Sequence, residues 1–431
     1  MRAGSSRYDT KMETATSYYP KLSDINNAKQ RLRGIAAVTP LMENLNLSTE
    51  YESHIMLKRE DLQVVRSYKI RGAYNKMSSL TEAELSKGIV CASAGNHAQG
   101  VAYSCRKMKS HGTIFMPTST PNQKIVQVNM FGGDYVKVEL VGDTYDDAYQ
   151  AGLEFCEVQN KTFIHPFNDA KVIEGQATVG LEILGQTPVA IDYIFLPVGG
   201  GGLSAGVSSV FKSLSPSTKI IGVEPTGAPS MSLSIKNGIN TKLEKYDKFI
   251  DGAAVGRVGD LNFEICRQNL DDMLTVPEGR VCQVILDLYN KDAIVAEPAG
   301  ALALAAIDQY RDQIKGKNVV VLISGSNNDI TRTAEIRERA LLYGGLKHYF
   351  IVRFPQRPGA LKDFVSDILG PDDDITHFQY QKKHSREKGP ALVGIELKHK
   401  SDLNPLVERM KANNFYGEYL NEKPDLYQFL V

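Results

Sequence analysis

Tyr193-Ile194-Phe195-Leu196-Pro197-Val198-Gly199-Gly200-Gly201-Gly202-Leu203-Ser204-Ala205-Gly206-Val207 joins an apolar run to four glycines and a helix-like start. A strand that breaks into glycines and turns into a helix suits phosphate. With no side chains in the way, backbone N–H groups converge on an anion at the positive helix end. No Gly-Lys-Ser/Thr follows, which argues against a nucleotide triphosphate loop, and the spacing is not a dinucleotide fingerprint. The stretch reads as a cradle for one compact phosphate with no lysine beside it. The competing reading is a flexible surface turn. Ordering four glycines costs backbone entropy, which weighs toward function.

Outward from this loop the chain alternates. Ile55-Met56-Leu57, Gly88 to Cys91, Thr113 to Met116, Tyr135 to Leu140, Lys219 to Val223 and Val319 to Ile323 read as strands. Tyr68 to Leu80, Asn96 to Met108, Asn122 to Phe131 and Asp143 to Val158 read as helices. Such alternation predicts an α/β fold with parallel sheets covered on both faces. Near Gly344-Gly345 the texture changes. Tyr349 to Phe354 reads as a strand, Ala360 to Leu369 as a helix, and Ile375 to Gln381 with Leu392 to Lys398 as an alternating strand pair. Leu403 to Asn413 reads as a helix and Leu426 to Val431 as a last strand. That β-α-β-β-α-β order predicts a small ferredoxin-like α+β domain, with the boundary between about 340 and 348.

The 431 residues carry 50 Lys plus Arg and 50 Asp plus Glu, so no net charge favours nucleic acid or an anionic membrane. The apolar runs are strand-sized, far short of the roughly 20 residues of a membrane span. The first 20 residues are polar, without a signal-peptide core. Five cysteines, Cys91, Cys105, Cys156, Cys266 and Cys282, show no paired spacing. Buried free thiols in a reducing cytoplasm are expected, and no metal site.

A phosphate loop without a lysine raises the question of what carries the phosphate. In Ser67-Tyr68-Lys69-Ile70-Arg71-Gly72, Lys69 lies at a loop-to-helix junction beside an aromatic. An amine held where it can shed its proton suits imine formation with an aldehyde; taken alone, it is one lysine among many. Ser93-Ala94-Gly95-Asn96-His97 follows a strand and opens a helix, so its N–H groups could bind a carboxylate. Ser93 also suits a plain helix cap, Asn96 a turn support and His97 a packed ring. In Leu322-Ile323-Ser324-Gly325-Ser326-Asn327 another strand ends in a small hydroxyl residue and glycine. Ligands of open α/β sheets gather at the carboxyl ends of strands. Three such ends, at Ser93, Gly199 and Ser324, would face one crevice with Lys69.

Together Ser67 to Gly72, Ser93 to Gly100, the four glycines and Ser324 to Asn327 resemble the threonine dehydratases over about residues 25 to 430. That resemblance implies a fold-type-II pyridoxal-phosphate enzyme, similar to tryptophan synthase β, with two parallel-sheet subdomains, the smaller at about 60–155. It implies a catalytic domain over 1–345. Arg357-Pro358-Gly359-Ala360-Leu361 resembles the start of the ACT-like regulatory domain of the biosynthetic branch, here 346–431. Carried over by residue, Lys69 would bind the cofactor's aldehyde and Tyr68 would lie against the ring. Asn96 would hydrogen-bond the ring's 3′ oxygen. Gly199, Gly200, Gly201, Gly202 and Leu203 would hold the phosphate, and Ser324 would face the pyridine nitrogen. Ser93, Ala94, Gly95, Asn96 and His97 would hold the substrate carboxylate. Glu297 matches a motif near the ring, though Glu297-Pro298 also suits a helix cap.

The implied reaction is dehydration and deamination of L-threonine to 2-oxobutanoate and ammonia, with L-serine as a secondary substrate. The implied inhibitor is isoleucine, opposed by valine, and the implied assembly a tetramer. Related serine racemases carry serine where this chain has Ala94, so elimination without racemisation is expected. A neutral Ser324 would not keep the pyridine nitrogen protonated, which also suits elimination. The rival readings are a threonine synthase or a serine β-replacement enzyme of the same fold, and a non-enzymatic amino-acid-binding regulator.

Overall fold

In the computed structural model of the chain, residues 18–380, 388–423 and 426 are described. Strands β1 (Leu41–Glu43) and β2 (His54–Arg59) open a large sheet. The chain then builds a separate small sheet from β3 (Ile89–Ala92), β4 (Gly112–Met116), β5 (Val136–Leu140) and β6 (Thr162–Phe163). It returns to the large sheet with β7 (Tyr193–Pro197), β8 (Lys219–Pro225), β9 (Asp272–Val276) and β10 (Asn318–Ile323).

The large sheet has the order β1-β2-β10-β7-β8-β9 and the small one β5-β4-β3-β6. Only β1 runs antiparallel. The central strands are continuous apolar runs because helices cover both faces. Val319 through Ile323 and Ile194 through Leu196 are fully buried. The small sheet has its own core, where Ile89, Cys91 and Ile114 meet Ala98, Val101 and Cys105 from the helix Asn96–Met108. The helix Ala170–Gln186, absent from the alternation read in the sequence, starts on Asp169, whose carboxylate accepts from Lys171 N and Val172 N.

The chain divides into two compact units, one of residues up to Pro277 with Leu288–Asp329, the other of Glu278–Asp287 with the chain from Ile330. The second unit contains β11 (Lys347–Pro355), β12 (Asp374–Tyr380), β13 (Lys388–Glu396) and β14 (Tyr416–Tyr419) in the antiparallel order β12-β13-β11-β14. Phe364 and Ile368 on one helical segment and Leu406 and Met410 on another pack on Phe350, Val352, Phe354, Val393 and Ile395. The order is β-α-β-β-α-β, as the patterning predicts. The last strand among the described residues is Tyr416–Tyr419, pairing with β11, whereas the expected one falls on Leu426 to Val431. Apart from Leu426, that segment lies outside the described residues. A four-residue strand broken by Gly417 shows no period-2 pattern long enough to read.

All five cysteines are free and buried. No helix among the described residues is long and apolar enough to cross a membrane.

Candidate active site

The carboxyl ends of β3, β7 and β10 open on one pocket. Tyr68, Lys69, Asn96, Gly199, Glu297 and Ser324 line it, with Pro197, Gly252, Ala253 and Ala299. Of the crevice expected from Ser93, Gly199, Ser324 and Lys69, this pocket brings together Lys69, Gly199 and Ser324, with Asn96 lining it where Ser93 does not.

The helix Lys69–Ser78 begins at the lysine itself. Tyr68 N donates to the Ser324 carbonyl at 3.2 Å, tying the start of this helix to the end of β10. Lys69 Nζ donates to the Pro166 carbonyl at 2.9 Å. It lies 5.4 Å from the Tyr68 ring centroid and 6.0 Å from that of Phe167. Burial lowers the amine from its usual range to about 8, against the pull of Glu297. Such a shift enlarges the neutral fraction of the amine, the form that can act as a nucleophile or a base.

The glycine loop is shaped from outside. A Cβ on Gly199 would come within 2.9 Å of Ala253 Cα, and one on Gly200 would overlap the Phe167 ring. Gly201 has φ +86°, and a Cβ there would lie 2.9 Å from Asn262 Cβ. The Gly200 carbonyl accepts from Asn262 Nδ2 at 2.6 Å and from Gly259 N at 3.1 Å. The Gly201 carbonyl accepts from Ala205 N at 2.8 Å, so two of the loop's acceptors are taken up by the protein itself. The helix Gly202–Leu214 adds its first-turn N–H groups. Leu203 contributes backbone here, since its side chain is buried in the core with Leu196 and Val207.

Ser324 is buried, and its hydroxyl donates to the Ala299 carbonyl at 3.2 Å. Glu297 is buried as well, and Asn96 Nδ2 donates to its Oε1 at 2.5 Å. Burial first, and then Asp251, push its carboxyl up to about 7.

The turn Ser93 to His97 stands at the start of the helix Asn96–Met108, capped by Gly95. Of the five residues, Asn96 alone lines the pocket. Ser93 Oγ accepts from Gly95 N at 3.2 Å, so the hydroxyl holds the turn. The His97 ring is buried, with Nε2 2.8 Å from the Ile164 carbonyl. Burial lowers it to about 3, so the ring is neutral and Nε2 carries the hydrogen. His97 and Ala94 can offer a ligand backbone N–H groups only.

Sequence reasoning missed the loop His165-Pro166-Phe167-Asn168 and the segment Gly252-Ala253. His165 Nδ1 accepts from Phe167 N at 3.1 Å and Asn168 N at 2.8 Å, which fixes the carbonyl that Lys69 meets. Burial lowers His165 to about 4, so the acceptor persists at neutral pH. Neither segment has periodicity. The one signal was indirect: four adjacent glycines imply that neighbours take the space their side chains would fill.

A glycine loop at a helix N-terminus, a depressed amine and a neutral hydroxyl on one pocket fit a ligand with a phosphate, an aldehyde and a ring nitrogen. Pyridoxal phosphate has those groups. Comparison with known proteins agrees. Residues 32–325 match the family described as pyridoxal-phosphate dependent enzyme, and residues 338–430 match the C-terminal regulatory domain of threonine dehydratase. The chain is 54% identical over 411 residues to the biosynthetic L-threonine dehydratase IlvA of Halalkalibacterium halodurans, covering 95% of this chain and 99% of that one. It is 52% identical to the Bacillus subtilis protein of the same name, over 95% of this chain and 97% of that one. The processed form of threonine deaminase isoform 2 from Solanum lycopersicum superposes with a TM-score of 0.70 at 41% identity, over 75% of this chain and 95% of that one. The chain belongs to the pyridoxal-phosphate dependent enzymes, in the family of the biosynthetic L-threonine dehydratases.

Proposed function

We propose that this chain converts L-threonine to 2-oxobutanoate and ammonia by β-elimination with pyridoxal phosphate, as the entry step to isoleucine. The observation that carries the reading is the convergence of Lys69, Gly199 and Ser324 on one pocket. Pyridoxal phosphate, when bound, supplies an electron-withdrawing ring that acidifies the substrate Cα–H.

The protein does the rest. Backbone N–H groups from Gly199 to Leu203 hold the phosphate, so no charged side chain is needed there. Tyr68 and Phe167 flank the Lys69 amine and keep bulk water from it. The neutral Lys69 amine takes the Cα proton. N–H groups of the Ser93 to His97 turn bind the substrate carboxylate and fix the Cα–H direction. Ser324, once its hydroxyl turns from the Ala299 carbonyl, would offer the ring nitrogen a neutral donor that forces no charge on it, which would favour prompt loss of the β-hydroxyl. Ala94 offers no proton to the second face of Cα, so elimination proceeds without racemisation. L-Serine is a slower substrate of the same site. The segment 338–430 confers inhibition by isoleucine, opposed by valine, in a tetrameric assembly.

The test is ketoacid release. The purified yellow protein should form 2-oxobutanoate from L-threonine, and borohydride should fix the cofactor on Lys69 by mass. A colourless protein, or an adduct on another lysine, would overturn the reading. Conversion of L-serine to D-serine at a rate near that of elimination would remove the claim about Ala94.

A further inference from the structure

Asn96 does not stand alone at the pocket wall. Its Oδ1 accepts from Asn327 Nδ2 in a very short contact, and its Nδ2 donates to Glu297 Oε1 at 2.5 Å. Asn327 Nδ2 also donates to the Val65 carbonyl at 3.1 Å, and Asn327 N donates to the Glu297 carboxylate. The Glu297 oxygen lies over Gly325, where a Cβ would overlap it. These contacts fix the direction of every donor. A backbone carbonyl has no hydrogen to give, so Val65 dictates which end of the Asn327 amide faces it. A turned Asn327 would set Oδ1 against two acceptors, Val65 O and Asn96 Oδ1. Instead Oδ1 is buried with no partner among the described residues, and the structure bears that cost. Asn96 is then held at both ends of its amide. One Nδ2 hydrogen is committed to Glu297, and the other is left for the pocket.

We propose that Asn327 and Glu297 are positioning residues that clamp the Asn96 amide, so that the pocket presents one hydrogen-bond donor, and never an acceptor, to a ring oxygen of the cofactor. The inference rests on the cofactor reading above. A donor at that oxygen stabilises its anionic form and shifts the electronic spectrum of the bound ring. An acceptor there would repel it.

The probe is the chain loaded with pyridoxal phosphate, read by its visible absorption and by the cofactor dissociation constant. Asn327→Asp changes no volume but sets acceptor oxygens against Asn96 Oδ1 and the Val65 carbonyl. The visible maximum should move, and the dissociation constant should rise roughly tenfold. Glu297→Leu should also displace the band, because it removes the acceptor. Glu297→Gln keeps one carbonyl oxygen to accept from Asn96 Nδ2 and should stay closer to the wild-type band than Glu297→Leu does. If Asn327→Asp does not fold, the two Glu297 variants decide the matter. The clamp is overturned if the substitutions that break it leave band and affinity as in the wild type, or if Glu297→Gln behaves like Glu297→Leu. Wild-type protein that takes up no cofactor would sink the cofactor reading. Loaded wild type with indifferent variants sinks the clamp alone.

Discussion

The proposed chemistry concentrates in one amine, that of Lys69, and its environment sets the pH at which it can act. Burial lowers it to about 8 in the cofactor-free protein. Below that pH the amine is protonated and cannot attack an aldehyde. Capture of pyridoxal phosphate by the stripped protein should therefore accelerate as pH rises and reach half its limiting rate near pH 8, by stopped-flow absorbance. A midpoint near the ordinary lysine value would mean that the pocket does not depress the amine. The sign for stability is the same. The contribution of a neutral buried amine is full above the ordinary lysine value of 10.5 and is lost as pH falls from there through about 8. Lys69→Ala should abolish ketoacid release while the protein still binds inorganic phosphate or pyridoxine phosphate, measured by calorimetry. Loss of phosphate binding in that variant would contradict a cradle built from backbone alone. In the sequence the Tyr68 neighbour and the loop-to-helix junction mark Lys69 as only one lysine among many, and the family resemblance singles it out. Its contact with the Pro166 carbonyl was not legible there, because Pro166 lies 97 residues away in an aperiodic loop.

At the scale of elements, the helix that carries Lys69 is anchored two residues further on. Arg71 is 1% exposed and makes paired hydrogen bonds to both Glu60 and Glu182, each closing at 2.7 Å. Lys58, fully buried on β2, meets Glu182 at 2.7 Å and the Thr39 carbonyl at 2.6 Å. Two cations and two carboxylates balance, which is how burial of four charges is tolerated. Breaking such a set leaves an uncompensated charge inside. Arg71→Leu should cost about 3–5 kcal/mol, seen as an earlier urea midpoint. A change under about 1 kcal/mol would show that water reaches the site. The glycine loop is the second anchored element. Gly200→Val has nowhere to put its side chain except into the Phe167 ring. Cofactor affinity should fall by at least about tenfold, a loss of 1.4 kcal/mol or more. Unchanged affinity would mean that Phe167 moves freely.

These elements also show which parts of the fold a sequence displays. β10 and β7 are read easily because continuous burial demands continuous apolar residues. The helix Asn96–Met108 begins at the residue where the motif changes character. β1, β6 and β9 are hidden. The first two span three and two residues, and β9 is an edge strand with an exposed Asp272 start. Glu297 and Asn327 stand in motifs that the resemblance singles out, but their contacts with Asn96 are hidden. Those hydrogen bonds join segments more than 200 residues apart, and no local spacing encodes them.

For the whole molecule, the regulatory segment implies a coupling between an effector and the rate. A coupling of 1–3 kcal/mol corresponds to roughly 5- to 150-fold in affinity. Isoleucine should lower the initial rate at subsaturating threonine and make the threonine dependence sigmoidal. A flat titration would leave residues 338–430 without that role. Threonine should in turn weaken isoleucine binding by the same factor, measured by equilibrium dialysis with a slow substrate analogue.

The glycine loop has a further consequence. Chains with many accessible conformations lose most freedom when they are fixed, and glycine loses most of all. Here Phe167, Asn262 and Ala253 enforce the loop's shape, and all three are the protein's own. The entropy of freezing those four residues is thus surrendered when the chain folds, not when a ligand arrives. Folding stability is lower by that amount, and every subsequent binding event is spared it. On the proposed role of the loop, the backbone is a mould of a phosphate made in advance, and affinity for the cofactor is in part stored work of folding.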